Sequence, residues 1–179
     1  MKPTKKITIT VSGLSGSGKT YVAKYISNKL GLKYYSSGKI FREFARKDGN
    51  TLEEFCKIRK PSIDKKVDRE ALKVIRKGNA VIDGRLSGWI AGNSAFKIYV
   101  SCPLRIRAER VAKRDNISKE EAMKRLRIRD ESDRKKYLET YGIDMLDKSI
   151  YDKVIDNSVS ESDLKRELNM LLRKIKKTI

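Results

Sequence analysis

The sequence contains no histidine. That excludes histidine-based metal centres and a Ser–His–Asp nucleophile system. Its 2 cysteines, Cys56 and Cys102, lie far apart, so no metal-ligand spacing exists and a disulfide is not expected. With 3 prolines and 11 glycines in 179 residues, collagen-like and low-complexity chains are ruled out. No long apolar run follows the basic start at Lys2, Lys5 and Lys6, so neither a signal peptide nor a membrane-spanning helix is expected. The protein is therefore expected to be soluble, intracellular and cytoplasmic.

Acidic residues are also scarce. There are 23 Asp and Glu against 43 Lys and Arg, a formal charge of +20. Such an excess attracts polyanions, whether phosphate-rich small molecules, nucleic acid or anionic membrane, and it equally describes a solvated basic surface. The tyrosines are scattered, and no basic tail carries interleaved aromatics, which argues against a dedicated nucleic-acid surface. What remains is ordinary for a folded protein: 39% hydrophobic residues, and enough chain for one domain with its own core.

The apolar pattern alternates between strand and helix. Ile7–Val11 is a β-branched run that ends in a Gly/Ser turn. Val22, Ala23, Ile26 and Leu30 then recur at helical spacing from Lys19, and Gly31 stops that helix. Short strands are predicted at Lys33–Tyr35, Asn79–Asp83, Phe96–Ser101 and Lys153–Asp156. Helices are predicted around Ile40–Ala45, after Thr51 with its capping Glu54, starting at Pro103, from Ser118 through Tyr137, and after Ser160. The last of these has an apolar face of Leu164, Leu168, Leu171, Leu172 and Ile175. Alternation of this kind predicts an α/β fold with a mostly parallel sheet covered on both faces.

Gly13-Leu14-Ser15-Gly16-Ser17-Gly18-Lys19-Thr20 matches G-x-x-x-x-G-K-[ST], with a strand before it and a helix after. Glycines let backbone N–H groups converge on phosphate oxygens, and the helix that follows adds its positive dipole end. Gly13, Ser15, Gly16, Ser17, Gly18, Lys19 and Thr20 are thus the candidate nucleotide-phosphate site. Lys19 is placed to reach the β- and γ-phosphates, and Thr20 to ligate Mg²⁺. Asp83 ends a predicted strand at the edge where ligands of open α/β sheets bind, so it is a metal candidate or else a helix cap. One such loop binds one triphosphate tail. Arg42, Arg85, Arg110, Arg114, Arg129 and Arg134 follow separate elements, which suggests a second phosphate-bearing ligand, with Arg42 and Arg85 nearest predicted strand ends.

Several segments together resemble the nucleoside monophosphate kinases. These are the glycine-rich loop, Ser36-Ser37-Gly38-Lys39-Ile40-Phe41-Arg42, Asp83-Gly84-Arg85-Leu86-Ser87-Gly88-Trp89, Arg129–Tyr137, Tyr141–Asp144 and Ser149–Asp152. Within that family the chain is most similar to cytidylate kinases of the short archaeal type. The resemblance implies transfer of the ATP γ-phosphate to CMP or dCMP, with Mg²⁺. It implies a P-loop three-layer fold over residues 1–179, a parallel sheet in the order 2-3-1-4-5, a helical NMP-binding region near 37–70 and a short lid near 113–128. Ser37, Arg42 and Arg85 match the family's acceptor contacts, Arg129 and Asp133 those made beyond the lid, and Arg110 and Arg114 the arginines that approach the transferring phosphates. Lys19, Arg110, Arg114 and Arg129 are then the catalytic set, and a monomer without membrane or sequence-specific nucleic-acid partner is expected.

Two positions depart from the family. Leu86 stands where bacterial members carry an aspartate that helps read cytosine, so the base must be read elsewhere. Lys136 falls where the family tends to have arginine, which keeps the charge and loses the bidentate fork. Adenylate or uridylate kinase on the same scaffold, and a nucleic-acid-associated P-loop NTPase, are the competing functions.

Overall fold

The computed structural model describes residues 6–178. Lys2 and Lys5 of the basic start lie outside the described residues. The elements, in chain order, are β1 (Thr8–Ser12), α1 (Lys19–Leu30), β2 (Lys33–Ser36), α2 (Ser37–Lys47), α3 (Leu52–Ile58), α4 (Pro61–Lys77) and β3 (Ala80–Asp83). There follow α5 (Ser87–Ala91), β4 (Phe96–Ser101), α6 (Leu104–Asp115), α7 (Lys119–Tyr141), β5 (Lys153–Asp156) and α8 (Glu161–Thr178).

All ladders are parallel, and the sheet order is β2-β3-β1-β4-β5, as expected. Central β1 is buried at all 5 residues, which is what a strand with helices on both faces requires. Alternation then divides the two cores. Ile9, Val11 and Val81 point to the face covered by α1 and α8, where Val22, Ile26, Leu164, Leu168, Leu171, Leu172 and Ile175 complete the packing. Ala80 and Ile82 point to the opposite face, against Ala71 and Ile75 of α4 and Ala91 of α5.

The helix ends follow their sequence signals. Gly31 and Gly142 are left-handed C-caps of α1 and α7. Thr51 and Glu54 form a reciprocal capping box on α3. Ser118 caps α7 and Ser160 caps α8, each through a hydrogen bond to the backbone N–H three residues on. Pro103 is the residue just before α6 rather than its first turn. Two helices have no counterpart in the sequence reading: α5, and the 17-residue α4, whose limits are nevertheless marked by Pro61 at its start and Gly78 after its end. α7 also runs to Tyr141, beyond Tyr137. Region 37–70 accordingly holds α2, α3 and the first part of α4, and region 113–128 is the end of α6, a tight turn and the start of α7. Both cysteines are free and buried. Among the described residues no helix is long and apolar enough to cross a membrane.

Candidate active site

Parallel strands point all their C-terminal ends one way, so the loops after β1, β2, β3 and β4 open onto one edge of the sheet. A cleft of about 240 Å³ lies there. Of the candidate residues read from the sequence, Gly13, Ser17 and Arg134 do not line it.

The loop after β1 forms one wall. Gly18 precedes α1 with φ +86, and a Cβ there would lie 2.1 Å from Asn157 Nδ2. A side chain at this point would push away the residue that donates from Nδ2 to Ser17 O at 2.7 Å. No side chain caps α1, so the N–H groups of its first turn remain directed into the cleft. Lys19 Nζ donates to Leu14 O at 3.2 Å. Burial lowers the Lys19 ammonium to about 8, with Arg85 and Arg129 lowering it further and Asp83 and Asp130 opposing them.

Thr20 and Asp83 meet, although they are 63 residues apart in sequence: Thr20 Oγ1 donates to Asp83 Oδ2 at 2.6 Å. Tyr34 OH donates to the same oxygen at 2.9 Å, from β2. Asp83 is therefore no helix cap. Its carboxylate sits buried at the loop's edge beside a hydroxyl, a pair of hard oxygen ligands of the kind Mg²⁺ takes.

The other wall is cationic. Arg42 (α2), Arg85 (after β3), Arg110 and Arg114 (α6) and Arg129 (α7) all face the cleft, together with Arg59. With Lys19 that is seven cations against the two carboxylates of Asp83 and Asp133. Arg42 is held below the ordinary guanidinium range by burial and by repulsion from Arg129 and Arg114. Arg85 is lowered to about 10, first by burial and then by Arg129. So dense a positive cluster, partly removed from water, favours a polyanionic ligand. Ser37 packs against Gly84, where a Cβ would lie 2.9 Å from Ser37 Oγ, so Ser37 and the loop carrying Arg85 are in contact.

Asp133 is buried and carries two guanidinium partners, Arg85 through Nη1 and Arg59 through Nη2, the latter at 2.8 Å. Arg129, one turn earlier on α7, lies 3.9 Å from it. Arg129 and Asp133, four residues apart, thus share one face of α7. Arg110 donates to Asn157 O at 2.8 Å and lies 3.5 Å from Ser17 O, which ties α6 to the glycine-rich loop. Arg114 reaches the rim and pairs with Asp115. Arg134, by contrast, is turned away from the cleft and pairs with Asp144 at 2.7 Å.

Sequence reasoning missed Arg59, Arg107, Asp130 and Asn157. Arg59 is 3% exposed and is bound by Asp64, Asp133 and Cys56 O. Nothing local marks it, since it is one basic residue among many. Asn157 was legible by the same logic as Asp83, because it directly follows a predicted strand. The two departures also resolve. Leu86 is 4% exposed and packs with Tyr137 and Met145, away from the cleft wall. Lys136 is half-buried and does not line the cleft.

Sheet order, glycine-rich loop and arginine-lined cleft together define a P-loop kinase fold. The shikimate kinase of Acinetobacter baumannii, solved in complex with shikimate, superposes with a TM-score of 0.59 over 95% of this chain and 95% of its own, at 16% identity. A model of the cytidylate kinase-like family matches residues 8–159. The cytidylate kinase of Pyrococcus horikoshii is 49% identical over 158 residues, 87% of this chain and 82% of that protein. That of Pyrococcus abyssi is 47% identical over 154 residues, 85% of each. The chain belongs to the cytidylate kinase-like family.

Proposed function

We propose that the protein is a nucleoside monophosphate kinase that transfers the γ-phosphate of ATP to CMP or dCMP, giving CDP or dCDP and ADP. The observation that carries this reading is the single cleft with two phosphate-binding walls, the glycine-rich loop on one side and Arg42, Arg85 and Arg129 on the other. A hydrolase needs only the first wall. Transfer between two nucleotides needs both, because two anionic groups must be held face to face.

In this reading the loop N–H groups, Lys19 and the α1 dipole hold the donor phosphates. Ser37, Arg42 and Arg85 hold the acceptor phosphate, and Arg129 and Asp133 address its sugar and base side. A phosphate oxygen of CMP forms a bond to the γ-phosphorus while the bond to the ADP oxygen breaks. The acceptor is already anionic near neutral pH, so no side chain need remove a proton. Lys19, Arg110, Arg114 and Arg129 neutralise the charge that spreads over the transferring group. Thr20 and Asp83 would hold Mg²⁺, which when bound would supply further positive charge beside the donor phosphates. With Leu86 in the core, Phe41, Cys56 and Tyr137 are the non-ionic walls left for the cytosine. Residues 37–70 act as the acceptor-binding region and 113–128 as a short lid, in a monomeric cytoplasmic enzyme.

The test is ADP release with ATP, Mg²⁺ and each of CMP, dCMP, UMP and AMP. A kcat/KM for CMP or dCMP at least tenfold above that for AMP is expected. Equal or better use of AMP, or ADP release that ignores the monophosphate, would sink the reading.

A further inference from the structure

Behind the cleft lies a closed ring of four residues from four different segments, completed through the backbone of Ser15. Arg107 of α6 is 5% exposed. Its Nη1 donates to Ser15 O in the glycine-rich loop at 3.0 Å and to Asp130 Oδ2 of α7 at 2.8 Å. The other oxygen of Asp130 faces Arg85 Nη2 at 3.4 Å. Arg85 Nη2 in turn donates to Ser15 Oγ at 2.6 Å. Ser15 is therefore gripped twice, by its carbonyl from Arg107 and by its hydroxyl from Arg85, and Asp130 joins the two arginines.

Neither Arg107 nor Asp130 lines the cleft, so neither touches a ligand held there. α6 also packs directly on the loop: a Cβ at Gly16 would meet Arg107 O at 3.0 Å and Arg107 Cβ at 3.1 Å. Resting on the proposed phosphoryl transfer between nucleotides, we infer that Asp130 and Arg107 are positioning residues that set the separation between the donor loop and Arg85, and so make donor and acceptor binding depend on each other.

The physical argument is one of charge and rigidity. Without the Asp130 carboxylate, two largely buried guanidinium groups face one another with no shared counter-charge: Arg85 keeps Asp133, which it shares with Arg59, and Asp133 does not reach Arg107. The cheapest relief is to move Arg85 away from Arg107, which releases Ser15 Oγ. An acceptor phosphate that pulls on Arg85 likewise pulls on Ser15, and a donor that orders the loop orders Arg85.

The experiment measures titrations of a non-hydrolysable ATP analogue with and without CMP, together with kcat and the KM for CMP, for the wild type, Asp130→Asn and Asp130→Glu. In the wild type, CMP is expected to tighten the analogue at least fivefold. Asp130→Asn is expected to bind the analogue alone within threefold of wild type, to lose the tightening and to lower kcat at least tenfold. Asp130→Glu keeps the counter-charge on a longer arm, so it should bind the analogue alone as the wild type does while the tightening stays reduced at least threefold. Folded Asp130→Asn with wild-type tightening overturns the inference. If Asp130→Asn does not fold, Asp130→Glu with full tightening overturns it, as does a wild type that phosphorylates CMP but binds the analogue indifferently to it. A wild type that phosphorylates no nucleoside monophosphate defeats the proposed function instead, a result visible before any variant is made.

Discussion

Lys19 illustrates how one residue is bound to one function by its surroundings. Its side chain is half-buried, its ammonium donates to Leu14 O, and desolvation is the chief cause that lowers it to about 8. A cation so placed beside the glycine-rich loop is positioned to meet an anion. Lys19→Ala should therefore lower kcat roughly 10²–10³-fold, about 3–4 kcal/mol of transition-state stabilisation, without loss of thermal stability at pH 7. Arg42→Ala should act differently. It should raise KM for CMP and lower kcat, while ATP-analogue affinity measured without CMP stays within twofold. Loss of analogue binding with the CMP KM untouched would show the donor and acceptor walls to be interchanged.

Asp68 is a second residue whose environment speaks, here about stability. Burial raises its carboxyl from 3.8 to about 6, although the hydrogen bond from Tyr141, at 2.6 Å, works the other way. A carboxyl raised in the folded state contributes stability fully below its unfolded value, and that contribution is lost as pH rises through about 6. Asp68→Asn keeps an acceptor for Tyr141 and removes the charge. It should be more stable than wild type at pH 7, by up to ~2 kcal/mol, and equal to it near pH 4. Thermal unfolding at the two pH values checks this. A variant less stable at pH 7 would mean that the ionised carboxylate is fully compensated by Tyr141 and Arg59.

At the scale of elements, helix position rather than helix propensity does most of the work. α8 lies on the sheet through Leu164, Leu168, Leu171, Leu172 and Ile175, and Leu168 is fully buried. Leu168→Ala should cost about 2–5 kcal/mol, since the sheet beneath it cannot collapse into the cavity. Met170, on the opposite side of the same helix and 52% exposed, should cost less than about 0.5 kcal/mol on truncation. Urea unfolding of the two variants tests whether α8 is held by its face or by its caps. α7 illustrates a different principle. It has little apolar face, yet it supplies Arg129, Asp130 and Asp133 to the cleft and its backing, and it is fixed by clasping α6 through Ala108, Val111, Ala122 and Leu126.

On the whole molecule, the +20 charge is not evenly unbalanced. Much of the basic surface of α6, α7 and α8 is spent in local ion pairs, among them Lys119–Glu109, Arg125–Glu121, Arg134–Asp144, Lys153–Glu167 and Lys165–Glu161. Exposed pairs of this kind contribute little to stability individually. Their presence fits a surface built in part as an ionic mesh, while the cleft carries its own excess of cations over carboxylates. Duplex DNA should then bind weakly, roughly 10⁻⁴–10⁻⁶ M at physiological salt, and lose affinity steeply as salt rises. Fluorescence anisotropy across 50–200 mM salt (about a twofold change in Debye length) would reveal any nanomolar, sequence-dependent binding, and such binding would favour a nucleic-acid function instead.

By itself the sequence determined what depends on near neighbours. The glycine-rich loop, the strand before it and the helix after it are all written in residues 7–31, because strand alternation, phosphate-cradling glycines and a C-capping glycine each act over a few positions. The alternation of strands with helices was sufficient for a parallel sheet, and Asp83, Arg42 and Arg85 were legible as strand-end residues. Only the tertiary structure decided which charges meet. Ser15 and Arg107 are 92 residues apart, Arg85 and Asp130 are 45 apart, and Ser17 and Asn157 are 140 apart. In a chain with 43 cationic side chains no local pattern singles out the few that face inward. That selection is made when the crossover connections bring α3, α6 and α7 over one edge of the sheet, where burial makes an unpaired charge costly and so dictates its partners.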